Sequence, residues 1–176
     1  TSDKALADSI RLMSLHGLSH DAWGRYAKGG SWDYRIMQPG YKYNLTDIAA
    51  AIGLQQLSRA EEMRKQREAI AEYFLSSLAD VDEIELPPHD EDRIHSWHLF
   101  PIRLNLNSLS IDRNEFIQEL NQNNVGTSVH WRPLHMHPLY NERLGWNEHH
   151  LPAATKRWSE IISLPIFSAM TFEEMA

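Results

Sequence analysis

Cysteine is absent from all 176 residues. That absence excludes a disulfide framework, a thiolate zinc site and a cysteine nucleophile. Long apolar runs are missing too: no window approaches the roughly 18 uninterrupted apolar residues that a membrane helix needs. The N-terminal stretch TSDKALADSIRLM has acidic residues where a signal peptide has basic ones, so a cytoplasmic protein without membrane contact is expected. Positive charge is in deficit. Lys and Arg number 17 against 24 Asp and Glu, a formal charge of -7, which argues against a nucleic-acid partner because phosphate binding draws on concentrated Lys and Arg. The densest basic stretch, Arg59 to Arg67, is interleaved with Glu61, Glu62 and Glu68 at helical spacing and reads as a solvated helix face. The chain has no Gly-rich phosphate loop, no nucleophile-elbow pattern for Ser-His-Asp catalysis, no internal repeat and no low-complexity segment.

What is present is ordinary globular composition, 42% hydrophobic and 23% charged, at a length that makes one domain, or one domain and a remnant. Lys4 to Leu15 carries Leu6, Ile10 and Met13 at helical spacing, with Gly17 as a natural stop. His16 to Gly40 has no period, is rich in Gly, Ser, Trp and Tyr, and reads as a long, ordered, contact-making loop. Helical periodicity returns from Thr46 to Leu78, with one apolar stripe at Ile48, Ala49, Ile52 and Leu57 and a later one at Ala69, Ile70, Tyr73 and Leu78. Thr46 is the expected N-cap and Asp47 suits the first turn. The length predicts two helices or one bent helix, with the change near Leu57 to Ala60.

Beyond Pro87-Pro88, His98 to Leu104 alternates as a strand does, Asp112 caps a helix through Leu120 that Gly126 ends, and Thr127 to Trp131 reads as a second strand. Trp97 and His98 read as buried, hydrogen-bonded sheet residues. Ala153 to Ile162 is the last clear helix, with Trp158, Ile161 and Ile162 facing the core, and Phe172 onward looks like one turn of a further helix. Strand, helix, strand, loop and helix in that order describe an α+β lobe.

Two constellations carry candidate chemistry. In Gly40-Tyr41-Lys42-Tyr43-Asn44-Leu45-Thr46-Asp47 a loop enters a helix, whose free N–H groups and positive dipole end, with the side chains of Asn44 and Thr46, can take an anion. On spacing alone, Asn44 and Thr46 are equally well read as competing caps. The second constellation, His130-Trp131-Arg132-Pro133-Leu134-His135-Met136-His137-Pro138-Leu139-Tyr140, gathers imidazoles, a guanidinium and aromatic faces at the end of a predicted strand. Three readings stay open there. His130, His135 and His137, with His149 and His150, can be metal ligands, although no Asp or Glu lies in the run and the spacing matches no common metal pattern. They can also line a pocket for a phosphorylated or sugar ligand, or decorate a surface.

The segments RLMSLHGLSHDAWGRY, PGYKYNLTDIAAAIGLQQL, SWHLFPIRL, VGTSVHWRPLHMHPLY and SLPIFSAMT, in that order and spacing, resemble the DegT/DnrJ/StrS family of sugar aminotransferases over essentially the whole chain. GYKYNLTDIAAAIG looks most like the branch that aminates a nucleotide sugar to 4-amino-4-deoxy-arabinose. The resemblance implies an α/β fold of the aspartate-aminotransferase type (fold type I), with residues 1–57 the end of the large pyridoxal-phosphate (PLP) domain and an interface loop, and residues 58–176 a small C-terminal α+β domain whose last helix is truncated. It implies PLP held as a Schiff base by a lysine, a homodimer that shares its active sites, and amino transfer from glutamate to a keto nucleotide-sugar. That lysine belongs to a motif just upstream of Thr1, and Lys4, Lys28, Lys42, Lys65 and Lys156 do not stand in it, so no catalytic residue is carried over. This chain alone is expected to be inactive and not to hold PLP. Asn44 matches the position that reaches the PLP phosphate of the neighbouring subunit; His130, Arg132 and His135 match the sugar-nucleotide side of the site, and His20 to Tyr34 a variable segment near its entrance. No metal is implied. The alternative is a regulatory or structural module without catalysis.

Overall fold

The computed structural model describes residues 1–19, 35–88, 90 and 92–175, so the predicted segment His20 to Tyr34 lies outside the described residues. The chain divides into two compact units, Thr1–Ser58 and Arg59–Ala176.

In the first unit, helix α1 (Lys4–Ser14) begins where the Asp3 carboxylate accepts from the Leu6 N–H at 3.1 Å. Its last carbonyls are satisfied by a later stretch of chain: Tyr41 N–H donates to Met13 O at 2.7 Å and Tyr43 N–H to Ser14 O at 2.8 Å. Gly17 stands at φ +69°, and its backbone crosses close to Gln38 and Gly40. A Cβ at Gly17 would lie 1.8 Å from Gln38 O, and one at Gly40 would lie 2.2 Å from Gly17 N. Only glycines let the two strands of chain approach so closely. Two single bridges, Leu15 with Lys42 and Leu18 with Ile36, complete the crossing.

Helix α2 (Asp47–Ser77) is one continuous helix of 31 residues, so the two-helix alternative is not realised. No Gly-Pro break interrupts the sequence there, and Gly53 alone does not stop a helix. Thr46 is its cap, accepting from Ala49 N–H at 3.3 Å. The mixed-charge stretch forms its helical pairs, Arg64 bonding both Glu61 and Glu68, but it is not wholly solvated as expected: the Arg64 side chain is 17% exposed, and Arg67 Nε donates to Ser96 O at 2.9 Å.

The second unit contains a three-stranded antiparallel sheet in the order β1-β2-β3, made of β1 (Ile84–Glu85), β2 (Phe100–Leu104) and β3 (Ile161–Leu164). The alternation in β2 sends Phe100, Ile102 and Leu104 to one buried face, where Ile162 of β3, Trp97, and Ile70, Ala71 and Phe74 of α2 join them. Phe74 meets Phe100 edge-on at 5.2 Å, and Trp97 lies 5.6 Å from the same ring. Burying each such side chain contributes about 1.5–3 kcal/mol. Helix α3 (Arg113–Gln122) starts with a complete capping box between Asp112 and Glu115. Helices α4 (Pro138–Leu144) and α5 (Pro152–Glu160) both open on proline, and α6 (Phe172–Met175) is a single turn.

Four expectations are corrected. Thr127 to Trp131 is not a strand: it touches the edge of β3 only through the Ser128–Ser163 bridge, after which the chain turns away and the His130 ring takes over bonding to Ser163. Ile161 and Ile162 are not helical, because α5 ends at Glu160 and β-branched residues continue as β3 against β2. The left-handed residue after α3 is Asn124 at φ 62°, not Gly126. Trp97 is buried, but it precedes β2 with φ 45°, and His98 is exposed rather than packed in the sheet.

Candidate functional site

The two constellations lie one in each unit. In the first, the hydrogen bonds from Tyr41 and Tyr43 to the end of α1 fix the chain up to the residue before Asn44, and the two tyrosine rings stack at 5.1 Å with planes 8° apart. Asn44 is half-buried. Its side-chain amide has no partner among the described residues, since Thr46 does the capping. The N–H groups of Asp47 and Ile48, in the first turn of α2, likewise have no acceptor among the described residues. These are donors of the kind an anion takes, with the Asp47 carboxylate close by as an opposing charge.

In the second unit, His130 Nδ1 lies 2.8 Å from Ser163 Oγ and 3.3 Å from Ser128 Oγ, so β3 and the Ser128 bridge orient the ring. His135 sits in a 3-10 turn, Leu134–Met136, and is 2% exposed. Its Nε2 is 2.9 Å from Thr155 Oγ1, and the Thr155 hydroxyl donates to the carbonyls of Glu148 at 2.7 Å and Leu151 at 3.2 Å. The one hydroxyl hydrogen is therefore spent on a carbonyl. His135 must donate through Nε2–H, which leaves Nδ1 of the neutral ring as an acceptor. His137 Nε2 donates to Arg132 O at 3.3 Å, holding the chain on which Arg132 projects. The Arg132 guanidinium lies 5.3 Å from the centre of the Trp158 ring. A cleft of about 440 Å³ opens beside it, lined by Arg132, His135, Asn141, Asn147, Glu148 and His149 among others. The three histidines of the run thus each bond a different group, and no three His, Asp or Glu among the described residues come close enough to hold a metal ion.

The family model for the DegT/DnrJ/EryC1/StrS aminotransferases matches residues 1–176. The chain belongs to that family.

Among curated relatives, the chain is 43% identical over 99% of its length to the uncharacterized protein MJ1066 of Methanocaldococcus jannaschii. It is 39% identical, again over 99%, to the spore coat polysaccharide biosynthesis protein SpsC of Bacillus subtilis. The chain spans about 45% of the length of each. A sugar aminotransferase of Streptococcus pneumoniae in its pyridoxamine-phosphate form superposes with a TM-score of 0.81 at 31% identity, covering 99% of this chain and 43% of that one. The fold is that of the fold type I PLP-dependent sugar aminotransferases. PLP carries a phosphate, and the unpaired amide of Asn44 with the free N–H groups of Asp47 and Ile48 is a donor set that suits one.

Sequence reasoning finds His130, Arg132 and His135 but not the groups that hold them. Ser163, Thr155 and Trp158 are separated from these residues by 33, 20 and 26 positions, so no local spacing could have signalled the pairs. None of the helices among the described residues is long and apolar enough to cross a membrane.

Proposed function

We propose that these residues are the C-terminal part of a PLP-dependent aminotransferase that moves an amino group from glutamate to a keto nucleotide-sugar in the cytoplasm, as a homodimer with shared active sites. Residues 1–57 close the large PLP-binding domain and 58–176 form the small one. The observation that carries the reading is Asn44, half-buried and unpaired beside the start of α2 while Thr46 caps the helix. Asn44 then serves the PLP phosphate of the partner subunit, and His130, Arg132 and His135 serve the sugar nucleotide. SpsC, which is named for polysaccharide biosynthesis, supports a sugar substrate. The 4-amino-4-deoxy-arabinose branch rests on the wording of GYKYNLTDIAAAIG alone.

When bound, PLP supplies the electron sink for the transfer. The residues of this chain bind and orient: Asn44 donates to a phosphate oxygen, and His135 offers the Nδ1 lone pair while Thr155 keeps its proton on Nε2. Asn44→Ala in the full-length dimer should weaken PLP about ten- to hundred-fold, the value of one hydrogen bond to a charged acceptor. Asn44→Asp should be worse. Equal PLP dissociation constants for wild type and Asn44→Asp would show that the residue does not meet the phosphate. Because no lysine here stands in the cofactor-binding motif, the 176-residue chain by itself should have no transaminase activity. A visible PLP band that survives dialysis and disappears with hydroxylamine overturns this.

A further inference from the structure

Arg132 is held at both ends. His137 Nε2 donates to its backbone carbonyl at 3.3 Å, and its guanidinium lies 5.3 Å from the centre of the Trp158 ring. No carboxylate among the described residues pairs with it: Glu148, on the rim of the same cleft, lies 3.6 Å from His149 instead. The indole is therefore what anchors the charged end of an otherwise exposed side chain. An arginine that nothing anchors has many rotamers, and a ligand that uses it must order it on arrival, which weakens binding. Trp158 can serve as an anchor because its own ring is fixed. It is half-buried on α5, and Arg113, the first residue of α3 and 7% exposed, lies 4.9 Å from the same ring centre. The Arg113 Nε has no acceptor among the described residues, and the neighbouring Asp112 carboxylate accepts from the N–H groups of Asn114 and Glu115. The indole is the contact Arg113 makes in place of a carboxylate, so the ring is packed by one guanidinium while it carries the other. Neither Arg113 nor Trp158 lines the cleft, whereas Arg132 does.

We propose that Trp158 is a positioning residue for the substrate: its ring, packed by Arg113, holds the Arg132 guanidinium in place before the ligand arrives. The inference rests on the reading that Arg132 serves the sugar nucleotide. Trp158 touches no ligand, and its effect on binding passes through Arg132. A competing route exists, because α5 also carries Thr155, which bonds His135. A change at Trp158 that acted by shifting α5 would reach the cleft through His135 and would not depend on Arg132. The two routes therefore differ in whether the loss at Trp158 and the loss at Arg132 add.

The test is a double-mutant cycle in the full-length, PLP-loaded protein, read as the calorimetric dissociation constant of uridine diphosphate at fixed ionic strength. Arg132→Gln should bind this probe about ten-fold or more weakly, as expected for loss of a charge-assisted bond. Trp158→Leu, which keeps apolar bulk but removes the aromatic face, should weaken it about three-fold or more, and Trp158→Phe, which keeps a face, should stay within about two-fold of wild type. Trp158→Leu combined with Arg132→Gln should match Arg132→Gln alone, since the ring then has nothing to hold. Additive losses overturn the proposal, and so does Trp158→Phe as weak as Trp158→Leu. Wild-type affinity in Arg132→Gln overturns the substrate reading, and the proposal with it. A second measurement needs no ligand: by NMR, the Arg132 Nε–H resonance should stand shifted by the indole ring and should move to the position of an exposed arginine in Trp158→Leu. If Trp158→Leu does not fold, the wild-type resonance still decides, because one already at the exposed position means that the ring does not hold Arg132.

Discussion

Every buried hydrophobic side chain among the described residues, from Ile70 to Ile162, belongs to the second unit, whereas the first unit buries only Gly17. The first unit is nonetheless just as regular: α1 is capped, and its carbonyls are tied to Tyr41 and Tyr43. The stripe of Ile48, Ile52 and Leu57, which follows helical spacing, stands 60–78% exposed, while the later stripe of the same helix packs Ile70 into the core. Periodicity therefore gives a helix in both places, but only in the second does another element of the described chain cover it. One unit is held by side-chain burial and the other by a crossing of backbones.

The largest effect should come from cutting the core. Phe100→Ala removes a fully buried ring that touches Phe74 and Trp97, and should cost about 3–5 kcal/mol in urea unfolding. The matched cut in the first unit, Ile52→Ala, should stay within about 0.5 kcal/mol for the chain by itself. A comparable loss at Ile52 would break the contrast, because it would mean that this face is covered.

Next comes the backbone crossing. Gly17→Ala puts a Cβ into Gln38 O at a left-handed φ, where strain alone costs about 1–3 kcal/mol. Amide exchange should report it locally: the Met37 N–H, which donates to Gly17 O, should lose protection while the amides of β2 keep theirs. Equal loss in both units would show that the first has no separate stability.

The smallest effect is electrostatic, and here the units should behave alike. Asp8 in α1 is held below the ordinary carboxylate value by its bond to Lys4, aided by Arg11, and Glu61 in α2 by its bond to Arg64. A folded pKa below the unfolded one means that the contribution is present above the ordinary carboxylate range. It is lost as pH falls through the folded value. Both groups are exposed, so only a slight fraying of the two helices is expected on acidification. NMR titration should place both midpoints below those of unfolded peptides; a midpoint for Asp8 at the peptide value would detach it from Lys4.

Elements fixed by local chemistry are legible in the sequence. The capping residues Thr46 and Asp112, the end of α1 near Gly17 and the buried alternation in β2 all depend on neighbours within a few positions. Thr127 to Trp131 and Ile161-Ile162 are not legible in that way, because their state depends on a strand edge supplied from elsewhere, and apolar, β-branched runs suit either a helix or a strand until that edge is known. The candidate site divides in the same way. By itself the sequence determined which candidate residues stand together: Asn44 before a helix start, and His130, Arg132 and His135 in one run. Only the tertiary structure decided how they stand. Ser163 and Thr155 come from far along the chain to orient the imidazoles, and Trp158 gathers Arg113 and Arg132 on one ring, because such contacts follow from how α3, α5 and β3 pack and not from any spacing between residues.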